Sequence, residues 1–220
     1  MSQIRLFPPA AGHIGTDESG KGDYFGPLVI AGFYSPDNQE AVLRELGVRD
    51  SKVLSDKRIG EIAASLQGGY VHSVVAVGPE KYNELYEKFR NLNKLLAWGH
   101  ARVIENILGT VDCAEAVTDQ FGDVRFVLNA LMQKGKRIEL VQRPRAEEDV
   151  AVAAASILAR AEFVRRLQAL SREWGVDLHK GAGPPVEIAA EVFLRRHGAA
   201  ALPQVAKMHF KITERVLRRL

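Results

Sequence analysis

The chain has 220 residues, of which 46% are hydrophobic and 26% are charged, a balance typical of one globular domain with a substantial core. Its formal net charge of +3 is compatible with a polyanionic partner but does not require one. The single cysteine, Cys113, excludes an intrachain disulfide and a cysteine-based zinc site. Because neither a signal-peptide core nor a membrane-spanning apolar run is found, we expect a cytoplasmic protein without membrane contact.

Strands and helices are predicted from the hydrophobic periodicity and the turn residues. Strands are predicted at 12–18, 27–34, 70–77, 114–118 and 138–142. Helices are predicted at 56–67, 79–90, 93–109, 123–134, 150–173, 186–196 and 209–220. Ser55 is the predicted N-cap of the first helix, and Trp98 and His100 are expected on a core face of the third. Early strands, followed by helices that alternate with later strands, predict an α/β fold with a central mixed β-sheet flanked by helices.

One segment, GTDESGKGDYFGP at 15–27, carries most of the information about function. It places two acids, Asp17 and Glu18, between a predicted strand and a glycine-rich turn. Such a turn allows close backbone approach to a phosphate or a sugar, and carboxylates beside it can hold a hard cation such as Mg²⁺. These are the parts of a phosphodiester hydrolase, although a polar hairpin with solvated acids explains this segment alone equally well.

Residues 15–22, GTDESGKG, also nearly match the P-loop pattern of nucleotide-binding proteins. Three features argue against that interpretation. Gly22 stands where the pattern needs a hydroxyl, Asp17 and Glu18 bring negative charge into a phosphate cradle, and a strand rather than a helix follows. We therefore reject the P-loop hypothesis.

Six blocks of the chain resemble the type 2 ribonucleases H in their order, and ribonuclease HIII most closely. The blocks are GTDESGKGDYFGPL at 15–28, RDSKVLSDKRI at 49–59, YNELYEKFRNLNKLLAWGHA at 82–101, TDQFG at 118–122, AVAAASILARAEF at 151–163 and KMHFKIT at 207–213. The resemblance implies an RNase H-like fold, with a single catalytic domain over 1–220 whose C-terminal portion is helical. It also implies an endonuclease that cuts the RNA strand of RNA–DNA hybrids and leaves 5′-phosphate and 3′-hydroxyl ends.

The resemblance implies a four-carboxylate site for two Mg²⁺ or Mn²⁺ ions. Asp17 and Glu18 match the first pair of acids and Asp119 matches the third. Asp17 is the expected bridging ligand. Since adjacent strand residues point to opposite faces, Asp17 and Glu18 can share a site only if the strand ends or bends there, which the following glycines permit.

The fourth acid is assigned less directly. Glu147 fits the family's pattern of a basic residue, alanine and glutamate best, whereas Glu148 and Asp149 stay open because the spacing to the AAAS run is about one residue shorter than in the family.

Eight residues are candidates for substrate binding. They are Gly20, Lys21, Gly22, Ser51, Lys52, Asn91, Asn93 and Lys94. The glycine turn is the predicted reader of the 2′-hydroxyl, the group that distinguishes RNA from DNA. The alternatives are a solvated turn lysine, a helix-entry turn at Ser51 and Lys52, and helix capping by the asparagines.

Two departures from ribonuclease HIII affect the predicted substrate. Only fourteen residues precede Gly15, whereas ribonuclease HIII proteins usually carry an N-terminal substrate-binding domain. We therefore expect weak, salt-sensitive binding of the hybrid. Separately, we expect a monomer. The basic GKG turn also resembles ribonuclease HII, which implies cleavage at single embedded ribonucleotides as the alternative. A catalytically inactive hybrid-binding module and an integrase-like DNA nuclease are further alternatives; the four acids argue against the first, and the block order against the second.

Overall fold

A mixed sheet of five strands organises the part of the chain that the computed structural model describes, residues 12–119 and 122–219. The strands are β1 (Gly12–Ser19), β2 (Leu28–Pro36), β3 (His72–Val77), β4 (Glu115–Asp119) and β5 (Glu139–Arg143). Their order across the sheet is β3-β2-β1-β4-β5. The pairs β1–β2 and β2–β3 are antiparallel, and β1–β4 and β4–β5 are parallel. The predicted mixed sheet and its five strands are thus confirmed.

Eight α-helices surround this sheet within the described residues. They are α1 (Glu40–Leu46), α2 (Asp56–Gly69), α3 (Pro79–Phe89), α4 (Leu92–Ile107), α5 (Val124–Ala130), α6 (Val150–Trp174), α7 (Pro184–His197) and α8 (Lys211–Leu217). Ser55 caps α2 as predicted, since its hydroxyl accepts a hydrogen bond from the Arg58 N–H at 3.3 Å. None of these helices is both long and apolar enough to cross a membrane.

Three helix predictions differ from the structure. The helix α1 was not predicted, because only Leu43 of its seven residues is buried and the apolar periodicity is weak. The helix α5 ends at Ala130 instead of residue 134, since Leu131 takes an extended ψ of 137° and is buried. The helix α8 occupies only the middle of the predicted range 209–220.

The helices α6 and α4 cover opposite faces of the sheet at β1. A Cβ atom at Gly15 would lie 2.1 Å from the backbone carbon of Ala151, so only glycine lets β1 approach α6 this closely. On the other face, a Cβ at Gly99 of α4 would lie 2.6 Å from the Cδ1 atom of Ile30 in β2. Neighbouring residues of β1 therefore point alternately towards α6 and α4.

The C-terminal portion closes over the turn that joins β1 to β2. Residues Phe25 and Ala206 form an isolated antiparallel bridge, and the Gly26 N–H donates to the carbonyl oxygen of Val205 at 2.9 Å. This contact fixes the segment that follows the GKG turn.

Candidate active site

A cavity of about 350 Å³ opens at the carboxyl ends of β1 and β4, and all four predicted acids line it. They are Asp17, Glu18, Asp119 and Glu147. The carboxyl ends of parallel strands lie at the same edge of a sheet, which explains why Asp17 and Asp119 meet although about a hundred residues separate them. The structure thus brings together the acids that the sequence selected.

Asp17 and Glu18 reach this cavity from opposite faces of β1. The ladder between β1 and β4 ends at the pair Thr16–Thr118, whereas pairing with β2 continues to Ser19. Beyond Thr16 the β4 side of the strand is open, so both neighbouring side chains border the same space. The strand β1 therefore ends at Thr16 on the side of β4, as predicted, but continues to Ser19 on the side of β2.

Asp17 lies on the α6 side of β1. Burial, together with the negative charge of Glu18, raises the pKa of Asp17 to about 7, against the opposing hydrogen bonds from Ser156 and from the Glu18 backbone N–H. The Ser156 hydroxyl, on α6, also lies 2.8 Å from the Ser51 hydroxyl. Asp17 is thus a crowded carboxylate whose charge needs a cation nearby.

Glu18 lies on the α4 side, against a buried histidine. His100 has no solvent exposure, and its Nε2 atom lies 3.2 Å from Oε2 of Glu18 while its Nδ1 atom lies 2.8 Å from Oγ1 of Thr16. Burial by itself raises the pKa of Glu18, but the hydrogen bond and charge of His100, with Lys21 adding to them, outweigh burial and leave the pKa below its usual value. His100 was expected only in the core, and an isolated polar residue on an apolar helix face was the signal for this second role.

Asp119 and Glu147 border the other side of the cavity. Asp119 ends β4, and its Oδ1 atom accepts a hydrogen bond of 3.4 Å from the Ala146 N–H. Glu147 lies on a 3-10 helix at Ala146–Glu148 that leads into α6, and its Oε1 atom is 3.6 Å from the Nζ atom of Lys52.

The two other candidates for the fourth acid have different surroundings. Glu148 is exposed and does not line the cavity, and its carbonyl oxygen accepts a hydrogen bond from Arg44. Asp149 caps α6 by accepting from the N–H groups of Ala151 and Val152, and both of its oxygens lie 2.9 Å from Nε2 of His13. Of the three acids, only Glu147 lines the described cavity.

The donor chemistry of this cavity suits hard divalent cations, because carboxylate oxygens are the ligands that Mg²⁺ and Mn²⁺ prefer. Within 12–119 and 122–219, however, no three His, Cys, Asp or Glu side chains converge closely enough to hold one ion. Lysines stand beside two of the acids instead, with Lys21 Nζ at 3.5 Å from Glu18 and Lys52 near Glu147. The residue types fit the implied metal, but these side chains have to move closer together to bind it.

The eight substrate-binding candidates divide into two groups. Gly20, Lys21, Gly22, Ser51 and Lys52 line the cavity. Asn91, Asn93 and Lys94 do not.

The second group begins α4. Asn91 caps this helix by accepting from the N–H groups of Asn93 and Lys94, which is the alternative that its position predicted. Asn93 lies beside Gly122, since a Cβ at Gly122 would lie 2.9 Å from its Nδ2 atom. Lys94 is exposed.

Arg160 of α6 also lines the cavity. Its guanidinium donates to the carbonyl oxygen of Ser51 at 2.6 Å and to Asp56 at 3.0 Å. Lys180 also donates to Asp56, at 2.6 Å. Arg160 and Lys180, from two separate segments, thus meet at Asp56, and of the two only Arg160 lines the cavity.

Comparison with known proteins gives consistent matches. The family model described as ribonuclease HII matches residues 14–213. Ribonuclease HIII of Protochlamydia amoebophila is 48% identical over 205 residues, which cover 93% of this chain and 68% of that protein. Ribonuclease HIII of Chlamydia pneumoniae is 46% identical over 207 residues, which cover 92% of this chain and 69% of that protein.

The structural comparison includes Bst-RNase HIII in complex with Mn²⁺. That structure superposes with a TM-score of 0.86 at 32% sequence identity, over 96% of this chain and 70% of that chain.

Proposed function

The chain belongs to the ribonuclease HII family and is a ribonuclease H, and we propose that it cuts the RNA strand of RNA–DNA hybrids at the cavity formed by Asp17, Glu18, Asp119 and Glu147. The observation that carries this proposal is that four acids from three separate segments line one cavity together with the GKG turn. A protein that only bound nucleic acid would gain nothing from a cluster of negative charge facing phosphates.

We propose that these four carboxylates would hold two divalent cations, Mg²⁺ or Mn²⁺, with Asp17 as the central acid of the set. The Mn²⁺ complex of Bst-RNase HIII supports the choice of ions. When bound, such ions polarise the scissile phosphate and lower the pKa of an attacking water. We propose products with a 5′-phosphate and a 3′-hydroxyl.

The side chains behind the carboxylates have defined tasks in this proposal. Ser156 donates a hydrogen bond to Asp17 and thereby orients it from the α6 side. His100 holds Oε2 of Glu18 from the α4 side, while Oε1 of Glu18 lies 3.5 Å from Nζ of Lys21. Because the pKa of Asp17 lies near 7, its proton has to leave when a cation binds, so that metal binding and activity weaken in acid.

The RNA strand is read by the turn at Gly20–Gly22 in this proposal. Gly20 has a φ of +89°, and Gly22 is exposed with open space where a Cβ would stand. A backbone of this kind can approach a 2′-hydroxyl closely. Lys21 and Lys52 border the same cavity and can pair with phosphates on either side of the cut.

We further propose one catalytic domain over 1–220 with a helical C-terminal portion, acting as a monomer in the cytoplasm. The single sheet with helices from the whole described chain around it supports one domain. The single cysteine, buried and reduced, suits the reducing cytoplasm. Light scattering after gel filtration measures the mass and tests the monomer.

One cleavage experiment tests the function. Labelled RNA–DNA hybrid, duplex DNA, duplex RNA and a duplex with one embedded ribonucleotide are incubated with the protein in Mg²⁺, Mn²⁺ or EDTA. We expect cleavage of the continuous hybrid with either ion and none in EDTA. Equal or better cleavage at the single ribonucleotide supports the alternative, and binding without cleavage indicates an inactive binding module.

Two aspartates near each other in sequence provide the matched controls. Asp119→Asn should reduce cleavage by orders of magnitude, because it removes a cavity carboxylate. Asp123→Asn should leave cleavage nearly unchanged, because Asp123 caps α5 and pairs with Arg125 away from the cavity. Equal losses in the two variants would show that the third acid has been assigned to the wrong residue.

A further inference from the structure

Lys207, in the segment KMHFKIT, is a lysine without solvent exposure. Its ammonium group donates to the carbonyl oxygens of Asp23 and Gly26 at 2.8 Å and of Phe25 at 3.5 Å. It also lies 5.6 Å from the centre of the Tyr82 ring. Among the described residues, its hydrogen-bond acceptors are therefore backbone carbonyls of one short segment rather than a carboxylate.

Such a group is costly to bury, because an ammonium loses its hydration. Burial lowers the pKa of Lys207 to about 7, and the charge of Asp23 opposes this effect. An apolar side chain of the same length would fill the space but leave the carbonyl oxygens without this donor. Burial of the ammonium group therefore depends on these carbonyl oxygens, and so on the conformation of residues 23–26.

The segment held by Lys207 directly follows the turn at Gly20–Gly22. It is also bound to the C-terminal portion through the backbone, where the Lys207 N–H donates to Tyr24 at 2.9 Å. On its other side, the Asp23 carboxylate accepts from the Gly181 N–H at 2.6 Å. Residues 23–26 are therefore fixed from both sides.

The turn itself is buried only at its first residue, Gly20, where a Cβ would lie 2.2 Å from the Pro27 carbonyl oxygen and 3.0 Å from the Phe163 ring. Across it, the Asp23 N–H donates to the Gly20 carbonyl at a long 3.4 Å, and Gly22 faces open space. Its position is consequently set by β1 before it, by residues 23–27 after it and by the Phe163 ring of α6.

We propose that Lys207 is a positioning residue for the RNA strand, which holds the carbonyls of residues 23–26 and so fixes where the Gly20–Gly22 turn meets the substrate. This inference rests on the proposed role of that turn as the reader of RNA. Lys207 contacts neither the reacting atoms nor any of the four acids in the described contacts, so its effect should fall on substrate binding rather than on the cleavage step.

The test compares Lys207→Met with Lys211→Met, an exposed lysine four residues away at the start of α8. In Lys207→Met we expect KM for the hybrid to rise roughly tenfold while kcat changes less than about threefold. Amide hydrogen exchange should accelerate at 20–26 and stay unchanged in β4 and β5. Mn²⁺ affinity, measured by water relaxation, should be unchanged, and Lys211→Met should match the unsubstituted protein in every respect.

Two results would overturn the inference: unchanged exchange at 20–26, or faster exchange with an unchanged KM. Lys21→Ala, measured in parallel, separates the role of the turn from the role of Lys207. If it raises KM while Lys207→Met does not, the turn reads RNA without help from Lys207; if neither raises KM, the role of the turn fails and the inference fails with it. Lys207→Gln keeps two donor hydrogens, should recover part of the loss in KM, and replaces the methionine variant should that one not fold.

Discussion

The two neighbouring acids of β1 differ in acidity because different elements surround them. Asp17 is buried beside Glu18, and its pKa rises to about 7. Glu18 is also buried, yet His100 and Lys21 hold its pKa below the usual value. In the absence of metal, a proton bound by this pair of acids therefore resides mainly on Asp17.

Asp17→Asn should abolish cleavage and stabilise the metal-free protein. The amide is nearly isosteric but cannot bridge two cations, and it removes a crowded charge. The pKa of this aspartate is 3.8 in its ordinary state and about 7 in the folded protein. Between these two pH values the native state binds more protons than the unfolded state, so the free energy of unfolding falls as pH rises. Urea unfolding in EDTA from pH 4 to 8 should show this fall in the unsubstituted protein and a flatter curve in the variant.

The same measurements can contradict the proposed role of Asp17. A variant that retains substantial turnover removes Asp17 from the centre of the mechanism. An unchanged pH dependence of stability would mean that Asp17 is ionised throughout this range.

Glu147→Gln and Asp149→Asn should separate a cavity acid from a capping acid. Glu147 lines the cavity, so its amide should lower kcat by orders of magnitude with little change in stability. Asp149 caps α6 and pairs with His13, so its amide should lower the free energy of unfolding by about 1 kcal/mol with a smaller effect on kcat. Cleavage assays and urea unfolding of both variants, with Glu148→Gln as the control, decide between them. The reverse pattern would make Asp149 the fourth acid.

At the scale of elements, α6 positions the site because it packs directly against β1. Ser156 and Arg160 reach the cavity from this helix, and Glu147 comes just before its first turn. This contact depends on Gly15, where a Cβ would lie 2.1 Å from the backbone of Ala151. Because glycine has no side chain, Gly15 sets the distance between β1 and α6, and with it the spacing of the acids.

Gly15→Ala should therefore cost several kcal/mol of stability and most of the activity. The clash is with backbone atoms, which cannot move aside as a flexible side chain can. Gly68→Ala is the matched control, because it lies in α2 with open space around its Cβ position and should stabilise the protein by about 0.5–1 kcal/mol. Thermal unfolding of the two variants checks both. A Gly15→Ala variant as stable as the control would show that α6 and β1 are not in such close contact.

At the scale of the whole molecule, basic groups offset the acids of the cavity. Lys21, Lys52 and Arg160 border it, and a formal net charge of +3 for the chain does not oppose a polyanion. Binding of the hybrid should consist largely of phosphate neutralisation and hence of counterion release.

Raising salt from about 50 to 200 mM should accordingly increase KM steeply and change kcat less. Each phosphate contact should add roughly −0.9 to the log–log slope of affinity against salt, the value for duplex DNA. Lys21→Ala should flatten the slope by about one contact, whereas Lys211→Met should not. Steady-state kinetics over a salt series measures these slopes. A KM that hardly responds to salt would show that shape and 2′-hydroxyl contacts dominate.

The strands of the sheet, the family and the four acids of the cavity could be predicted from the sequence alone. Hydrophobic periodicity and turn residues predicted all five strands, and the range 27–34 in addition has the continuous apolar run that a fully buried strand needs. Six blocks in order predicted the family, and Asp17, Glu18, Asp119 and Glu147 all lie in the cavity that it implied. Local composition and motif order contain this information without any knowledge of contacts.

Other features were decided only by the tertiary structure. Glu147 differs from Asp149 because α6 begins directly after Asp149 and takes that residue as its N-cap. His100 touches Glu18 across a separation of 82 residues, and Lys207 reaches Asp23 across 184. Sequence patterns report the environment of a residue along its own strand or helix. Contacts between distant segments depend on how the elements pack, and here that packing selects the groups that position the acids and the turn.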